Sequence, residues 1–216
     1  MRSCTCPVGT YLTPPGTQTC PENVGQIQKL AFHRYSSTTG FGTGTTILLE
    51  ATWTAAMALT ETTPNNKVIV SPFVDAPTVE VGKAKEFGSG NEVRNGIARI
   101  FGTDPTKFSF KIYEATDSVI RNLKKMQCES SVCVGFINEL GQIIAKPTVA
   151  ATGLPDSAPG ATTLYVGWQM ESLHISDRML GGFDGPDYFE ITFQLKPGWS
   201  DYLDVVTPTD FSGLDL

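Results

Sequence analysis

Long apolar runs are missing from the 216-residue sequence, because none approaches the roughly 18 residues that a membrane-spanning helix requires. The stretch from Met1 to Cys20 also lacks the apolar segment of a secretory signal peptide. From these two absences we predict a protein that is made and folded in a cytoplasm. We expect its five cysteines to be reduced there.

Residues suited to catalysis are scarce. The two histidines, His33 and His174, lie in strand-like segments, where a structural imidazole is the ordinary case. The Gly-Ser-Gly at 88–90 lacks the G-x-S-x-G form of a nucleophile elbow, and the segment GSGNEVRNG lacks the lysine of a phosphate-binding loop. We therefore predict no catalytic residues, no cofactor and no enzymatic activity. The enzyme alternative is a β-sandwich glycan hydrolase that depends on Asp184 and Asp187.

Metal-binding patterns are also weak. The cysteines are irregularly spaced and far from both histidines, unlike the paired knuckles of a structural zinc site. The turn DGPDYFE offers carboxylates for calcium at Asp184, Asp187 and Glu190, but it lacks the register of a calcium-binding loop. We predict no metal and expect Cys128 and Cys133 to act as small apolar side chains. Metal binding or pairing stays open for all five cysteines: Cys4, Cys6, Cys20, Cys128 and Cys133.

Charge is limited and unevenly placed. Charged residues make up 18% of the chain and the formal net charge is −6. Residues 150–216 contain ten acids against two bases, whereas the signs nearly balance in 61–149. This acidic surplus maintains solubility, or it forms a surface that meets a basic partner or lets nucleic acid pass without adhering.

The residues that are plentiful favour strands and turns. Glycine, proline and threonine are abundant, and segments such as FSFKIYE and DYFEITFQL alternate between apolar and polar residues. Helical spacing of apolar residues over TDSVIRNLKKMQ predicts a helix, and TTILLEATWTAAMALTE favours a second. The predicted fold is mainly β, an antiparallel β-sandwich or barrel with one or two flanking α-helices and extended terminal arms.

One domain with two arms is the organisation we predict. Residues 1–25 form an extended N-terminal arm, and 26–196 form the β-sandwich domain. Within that domain we place a helix at 116–127 and a long loop at 146–163. Residues 197–216 form a C-terminal arm. We read 75–107 as short strands between turns, without a clear long hairpin.

Three segments in order carry a resemblance to a known class: SPFVDAPTVEVGKAKEFGSGNEVRNG, FSFKIYEATDSVIRNLKKMQCESSVCVGFINELGQII and FEITFQLKPGWSDYLDVVTPTDF. Over roughly Asn65 to Phe211, the chain resembles structural proteins of tailed bacteriophages that infect Bacteroides-type hosts. The helix that leads into a hairpin beside a β-sandwich is similar to phage tail tube proteins.

The resemblance implies a self-assembling subunit. Tail tube subunits join sheet edges into hexameric rings, and the rings stack through loops, a long hairpin and terminal arms around a lumen. We therefore expect a protein of the virion, assembled in the bacterial host cytoplasm, whose partners are its own copies and other phage structural proteins. DNA would only pass through, and no membrane is involved. The alternative is a capsid decoration or head-fibre-base protein.

The candidate interface residues lie in the arms and the long loop. They are prolines and large apolar side chains outside the predicted strands, which must be buried either on their own sheet or on another subunit. The set is Pro14, Pro15, Pro21, Leu154, Pro155, Pro159, Trp199, Tyr202 and Phe211.

Overall fold

A computed structural model describes most of the chain. The described residues are 24–35, 39–59, 67–88, 98–113, 115–129, 131–149, 155, 159–183 and 185–216. Nearly all of the predicted N-terminal arm and most of the segment GSGNEVRNG lie outside these residues.

The predicted fold class, mainly antiparallel β with flanking helices, is confirmed. The helices are α1 (Glu50–Ala58) and α2 (Asp117–Lys125), with short 3-10 turns at Thr46–Leu48, Met126–Cys128, Trp199–Tyr202 and Gly213–Asp215. The described strands are β1 (Ile27–Arg34), β2 (Gly42–Thr43), β3 (Val68–Val70), β4 (Asp75–Glu80), β5 (Ala84–Phe87), β6 (Arg99–Thr103), β7 (Thr106–Tyr113), β8 (Val132–Asn138), β9 (Ile143–Thr148), β10 (Leu164–Val166), β11 (Trp168–Ile175), β12 (Tyr188–Leu195) and β13 (Asp204–Val206).

Eleven of the described strands form one antiparallel sheet that curls into a half-barrel. The order along the sheet is β2-β10-β9-β8-β11-β12-β7-β4, and β1 pairs with both β3 and β8 while β13 pairs with β9. Strands β5 and β6 pair only with each other among the described strands. They belong to a small separate unit, and residues 24–83 and 104–216 form the main unit.

Strand β8 is buried along its whole length. Because side chains alternate across a strand, Val132, Val134 and Phe136 enter one apolar core while Ile137 enters another on the opposite face. We call these the first core and the second core. Gly135 faces the Phe41 ring so closely that a Cβ atom there would lie 2.6 Å from it. The main unit is therefore built around a strand that is covered on both faces.

Alternating residues of β7 and β12 form much of the first core, as the sequence predicts. Phe108, Phe110 and Ile112 of β7 lie on the inner face with the four buried residues of β12, namely Phe189, Ile191, Phe193 and Leu195. Helix α2 covers this core with Ile120 and Leu123. It begins after Thr116, and cationic Lys124 and Lys125 occupy its last turn, where the helix dipole favours them.

The second core is centred on Trp53 of α1. Its ring is fully buried and stacks on Phe41 at 5.3 Å between centroids, and its Nε1 donates a hydrogen bond of 3.0 Å to the carbonyl oxygen of Ile47. The segment from Thr45 to Glu61 also fits a strand pattern, but it is helical over Glu50–Ala58. Alanine and glutamate favour helices, and one buried tryptophan anchors α1 to the sheet.

Several sequence-based boundaries are wrong. The long loop predicted at 146–163 begins as strand, because β9 runs to Thr148 and pairs with β10. The apolar run in NNKVIVSPFV predicts a short buried strand, but only Val68 of that strand, β3, is buried. The segment TLYVGWQMESLHI predicts a single strand, but the structure has β10 and β11 with Gly167 between them, where a Cβ atom would lie 2.7 Å from the Val134 backbone.

His33 is a structural histidine, as predicted. It lies in β1, where its Nε2 accepts a hydrogen bond of 2.7 Å from the Gly167 N–H and its Nδ1 lies 2.7 Å from the Arg34 carbonyl oxygen. Burial disfavours the imidazolium and lowers the pKa of His33 to about 4 from its ordinary 6.5, although the bond to Arg34 opposes the shift.

The buried neutral His33 predicts a pH-dependent stability. Below about pH 6.5 the unfolded chain takes up a proton that the folded chain refuses, so stability is lost as pH falls from about 6.5 towards 4. We expect the free energy of unfolding to fall by about 2 kcal/mol between about pH 7 and pH 5, measured by urea unfolding. In His33→Gln this decrease should vanish, whereas in the matched control His174→Gln, at the exposed histidine, it should persist. Equal pH profiles for wild type and His33→Gln would contradict the assignment.

Candidate interaction surfaces

The hairpin formed by β5 and β6 has no buried residue in either strand. Phe87 pairs across the hairpin with Arg99, and Ile100 pairs with Glu86, so apolar side chains project from both faces. A bulge between Lys85 and Glu86 leaves Phe101 as an extra residue on β6. Phe87, Ile100 and Phe101 are 57%, 67% and 61% exposed. A two-stranded hairpin is at best marginally stable alone in water, so this surface favours a partner.

A second exposed apolar surface lies in the turn between β11 and β12, which we call the tip loop (Met179–Asp187). Met179, Leu180 and Phe183 project from it, and Leu180 is 80% exposed while Phe183 is fully exposed. Met179 and Tyr188 exchange backbone hydrogen bonds of 2.8 and 3.0 Å. The Gly181 N–H donates to the Asp187 carboxylate at 3.1 Å. Hydrogen bonds thus hold the two ends of the loop, and Met179, Leu180 and Phe183 face solvent.

Ion pairs fix the base of the tip loop to α2. Arg178 bonds to Asp117 at 2.6 Å and lies 3.8 Å from Asp187, and its guanidinium covers the Phe189 ring at 5.3 Å. Lys124 bonds to Asp177 at 2.5 Å and, through this hydrogen bond and its charge, holds the pKa of that carboxyl below its ordinary value. Several weak surface contacts together restrict the loop position.

The edge strand β4 is open on one side among the described strands and pairs with β7 on the other. Pro77 has no N–H to offer, and a bulge between Asp75 and Thr78 disturbs the first half of the edge. Beyond this shielded part, Val79 and Val81 are exposed. Only the last residues of the edge are suited to pairing with another strand.

A shallow depression of about 320 Å³ lies on the outer face of β4, β7, β11 and β12. Eight of its ten lining residues are polar, and its charges are engaged with neighbours: the Ser109 hydroxyl donates to Glu190, and Lys107 lies 3.9 Å from Glu80. These contacts make the depression part of the polar outer face of the sheet.

The candidate reactive groups are dispersed. His174 is exposed and 3.4 Å from the Gln127 amide, far from the role of a buried base. Cys133 is buried, and desolvation raises the pKa of its thiol to about 12 against the weaker effect of Lys146, whereas Cys128 is exposed. Among the described residues, no group of three or more metal-ligating side chains comes together. Asp184, Cys4, Cys6 and Cys20 lie outside the described residues.

The predicted C-terminal arm folds back on the main unit. Trp199 packs edge-on against Phe108 at 5.3 Å and Trp168 at 5.5 Å, so most of its ring contributes to the first core. Phe211 packs on the second core, 6.5 Å from Trp53, and β13 extends the sheet beside β9. Residues 197–216 therefore do not form the extended arm that the sequence predicts.

The other predicted interface residues are dispersed. Tyr202 is half-buried in the 3-10 turn after β12. Pro155 forms an isolated bridge with Thr148, and Pro159 is exposed. Pro14, Pro15, Pro21 and Leu154 lie outside the described residues. An interface role for all of these residues stays a prediction.

The tip loop and the β5–β6 hairpin are surfaces that sequence reasoning missed. Both are apolar residues among glycines, in RMLGGFDG and in KAKEFG with ARIFG. The available signal for an exposed apolar surface was a large apolar residue next to glycine. Glycine is uncommon beside core positions within regular helices and strands. Among the described acids of 150–216, Glu171 lies in β11, Glu190 in β12 and Asp204 in β13, and the others lie in loops and 3-10 turns.

Lys29 holds the C-terminal segment in place. Its Nζ donates hydrogen bonds of 2.7 and 2.6 Å to the carbonyl oxygens of Leu214 and Leu216, and it lies 4.5 Å from the centre of the Phe73 ring. Burial lowers the pKa of Lys29, and the nearby Asp215 partly opposes this shift. The two carbonyl acceptors and the nearby carboxylate of Asp215 thus offset the free-energy cost of burying this ammonium.

Lys29→Met should release this segment while keeping the aliphatic stem in place. We expect a loss of about 1–3 kcal/mol in the free energy of unfolding, because two carbonyl groups lose a charged donor. Hydrogen exchange should accelerate at the Gly213 amide, which bonds to the Gly141 carbonyl oxygen at 2.9 Å. The matched control is Lys196→Met, at an exposed lysine 3.6 Å from Glu171, with little expected effect. If the two variants behaved alike, the role given to Lys29 would be wrong.

No protein-family model matches the chain, and no curated protein matches its sequence. Within the described part of the chain, no helix is long and apolar enough to span a membrane.

Proposed function

We propose that the chain is a non-enzymatic structural protein of a bacteriophage virion that self-assembles, and that it is the subunit of a tail tube. The observation that carries self-assembly is the β5–β6 hairpin. It is a separate unit whose described strands bury no residue and expose Phe87, Ile100 and Phe101. The resemblance of the sequence to tail tube proteins supports the assignment to a virion and to a tail tube.

The main unit supports this proposal by being complete without the hairpin. Both cores are closed by residues of the main unit, with α2 over the first and α1 over the second. The exposed apolar residues of the hairpin are therefore not a missing part of either core. Exposed apolar surface of this kind is a liability in a monomer and is buried when another chain covers it.

A ring requires every subunit to present the same geometry, because angular errors prevent closure. The contacts of α2 suit this requirement: Ile120 and Leu123 enter the first core, and Lys124 bonds to Asp177 beyond β11. The helix and the following β8–β9 hairpin stiffen the sheet. In the proposed tube, the hairpin 84–103 takes the stacking role that tail tube proteins give to a long hairpin.

A capsid decoration protein is the second candidate, and the shape of the sheet edge favours it. Pro77 and the bulge in β4 shield half of the exposed edge, which limits the joining of sheets between neighbours in a ring. A decoration protein docks on a shell as a discrete dimer or trimer. It does not require continuous edge pairing.

Electron microscopy of the purified chain tests the assignment. We expect stacked six-fold rings or tubes, whereas discrete dimers or trimers would favour the decoration protein. A chain that stays monomeric at every concentration by sedimentation and hydrolyses a glycan would contradict both. Phe87→Ser should reduce assembly, since it removes an exposed apolar contact, while the matched control Leu140→Ser, at the exposed turn between β8 and β9, should assemble as wild type.

A further inference from the structure

The shallow depression on the outer face of the sheet is built by four neighbouring strands of the main unit, in the order β11-β12-β7-β4. Strand pairing places Thr78 of β4 opposite Ser109 of β7, and Ser109 opposite Thr192 of β12. Because neighbouring strands lie about 4.8 Å apart, these three hydroxyl groups form a row across the sheet. Ser172 of β11 lines the same depression on the far side of β12. Four hydroxyl groups from four strands thus lie on one surface.

A β-bulge borders the depression on each side. In β4 the register shifts between Asp75 and Thr78, which moves Thr78 to the position that lines the depression. In β11 the register shifts between Glu171 and His174, and Ser172 lies within this shift. Ser172 has φ +55° and is the only non-glycine residue at positive φ in the described part of the chain. Bulges that redirect a side chain, and strained backbone, occur preferentially beside binding sites.

The composition of the lining favours a neutral ligand with many hydroxyl groups. An apolar ligand would leave the eight polar lining residues without hydrogen-bond partners. The charged lining residues are two acids, Glu80 and Glu190, against one base, Lys107, and this surplus disfavours an anion such as phosphate. Both carboxylates are engaged, one near Lys107 and the other with the Ser109 hydroxyl, so a cation would have to compete with these donors.

We propose that this depression binds a carbohydrate, as one or two sugar residues at the end of a glycan. Serine and threonine hydroxyls both donate and accept hydrogen bonds, as sugar hydroxyls do, so the two sets pair in either direction. The volume of about 320 Å³ is at the small end for a ligand site, which suits a terminal sugar. The proposal concerns binding alone and does not rest on self-assembly.

The polar groups that would contact the sugar are available without rearrangement of the fold. Four lining side chains make no hydrogen bond with another described residue, namely Thr78, Ser172, Thr192 and Gln194. Because all four project from paired strands, their backbone is fixed before a ligand binds. Little backbone entropy is then lost on binding.

Saturation-transfer difference NMR with neutral disaccharides tests the proposal, because it detects weak binding to a monomer and to an assembly alike. The probes are maltose, cellobiose, lactose and N,N′-diacetylchitobiose, and we expect a saturable signal from at least one. Inorganic phosphate and calcium ions should not displace it. Thr192→Val removes one hydroxyl and keeps the shape of the side chain, so it should weaken binding about 5-fold, the effect of losing one neutral hydrogen bond.

A second variant and a matched control make the test decisive. Ser172→Gly also removes a hydroxyl, and glycine adopts φ +55° without strain, so this variant should fold as wild type and bind more weakly. Thr103→Val, at an exposed threonine of β6 away from the depression, should bind as wild type. The proposal is wrong if none of the four disaccharides gives a saturable signal. It is equally wrong if Ser172→Gly and Thr192→Val bind as tightly as Thr103→Val, or if phosphate displaces the sugar.

Discussion

The burial of β8 on both faces is the constraint on which the rest of the structure depends. A strand in this position must be apolar at nearly every residue and must have hydrogen-bonding neighbours along both edges. Strand β1 supplies one edge, and β9 and β11 share the other. The alternation of β8 then divides the main unit into two cores, and each helix covers one of them.

Because both cores close within the main unit, apolar residues outside them have no evident role in folding. Single exposed apolar residues are ordinary, but the hairpin and the tip loop each concentrate two or three large ones. Both also occur on backbones that are fixed by hydrogen bonds. Exposed apolar surface is removed from water when a partner covers it, and this links the fold to the proposed assembly.

Local patterns predicted the elements that depend on local physics. The alternation of β7 and β12 and the helix at 117–125 both follow from neighbouring residues. The remaining features depend on pairing between residues far apart in the sequence, so local patterns did not predict them. Pro147 reads as a break, yet β9 continues through it beside Tyr165, and Trp199 reads as an arm residue, yet it completes the first core. The sequence alone also does not reveal which apolar residues remain outside a core, so both candidate surfaces were missed.

Hydrogen exchange as a function of protein concentration tests the central claim most directly. If copies cover the apolar surfaces, the backbone amides of Ala84–Phe87 and Arg99–Thr103 become more protected as concentration rises, whereas those of Val132–Asn138 stay equally protected because β8 is already buried. The account predicts this selective increase. Unchanged protection of the hairpin from dilute to concentrated solution would contradict it.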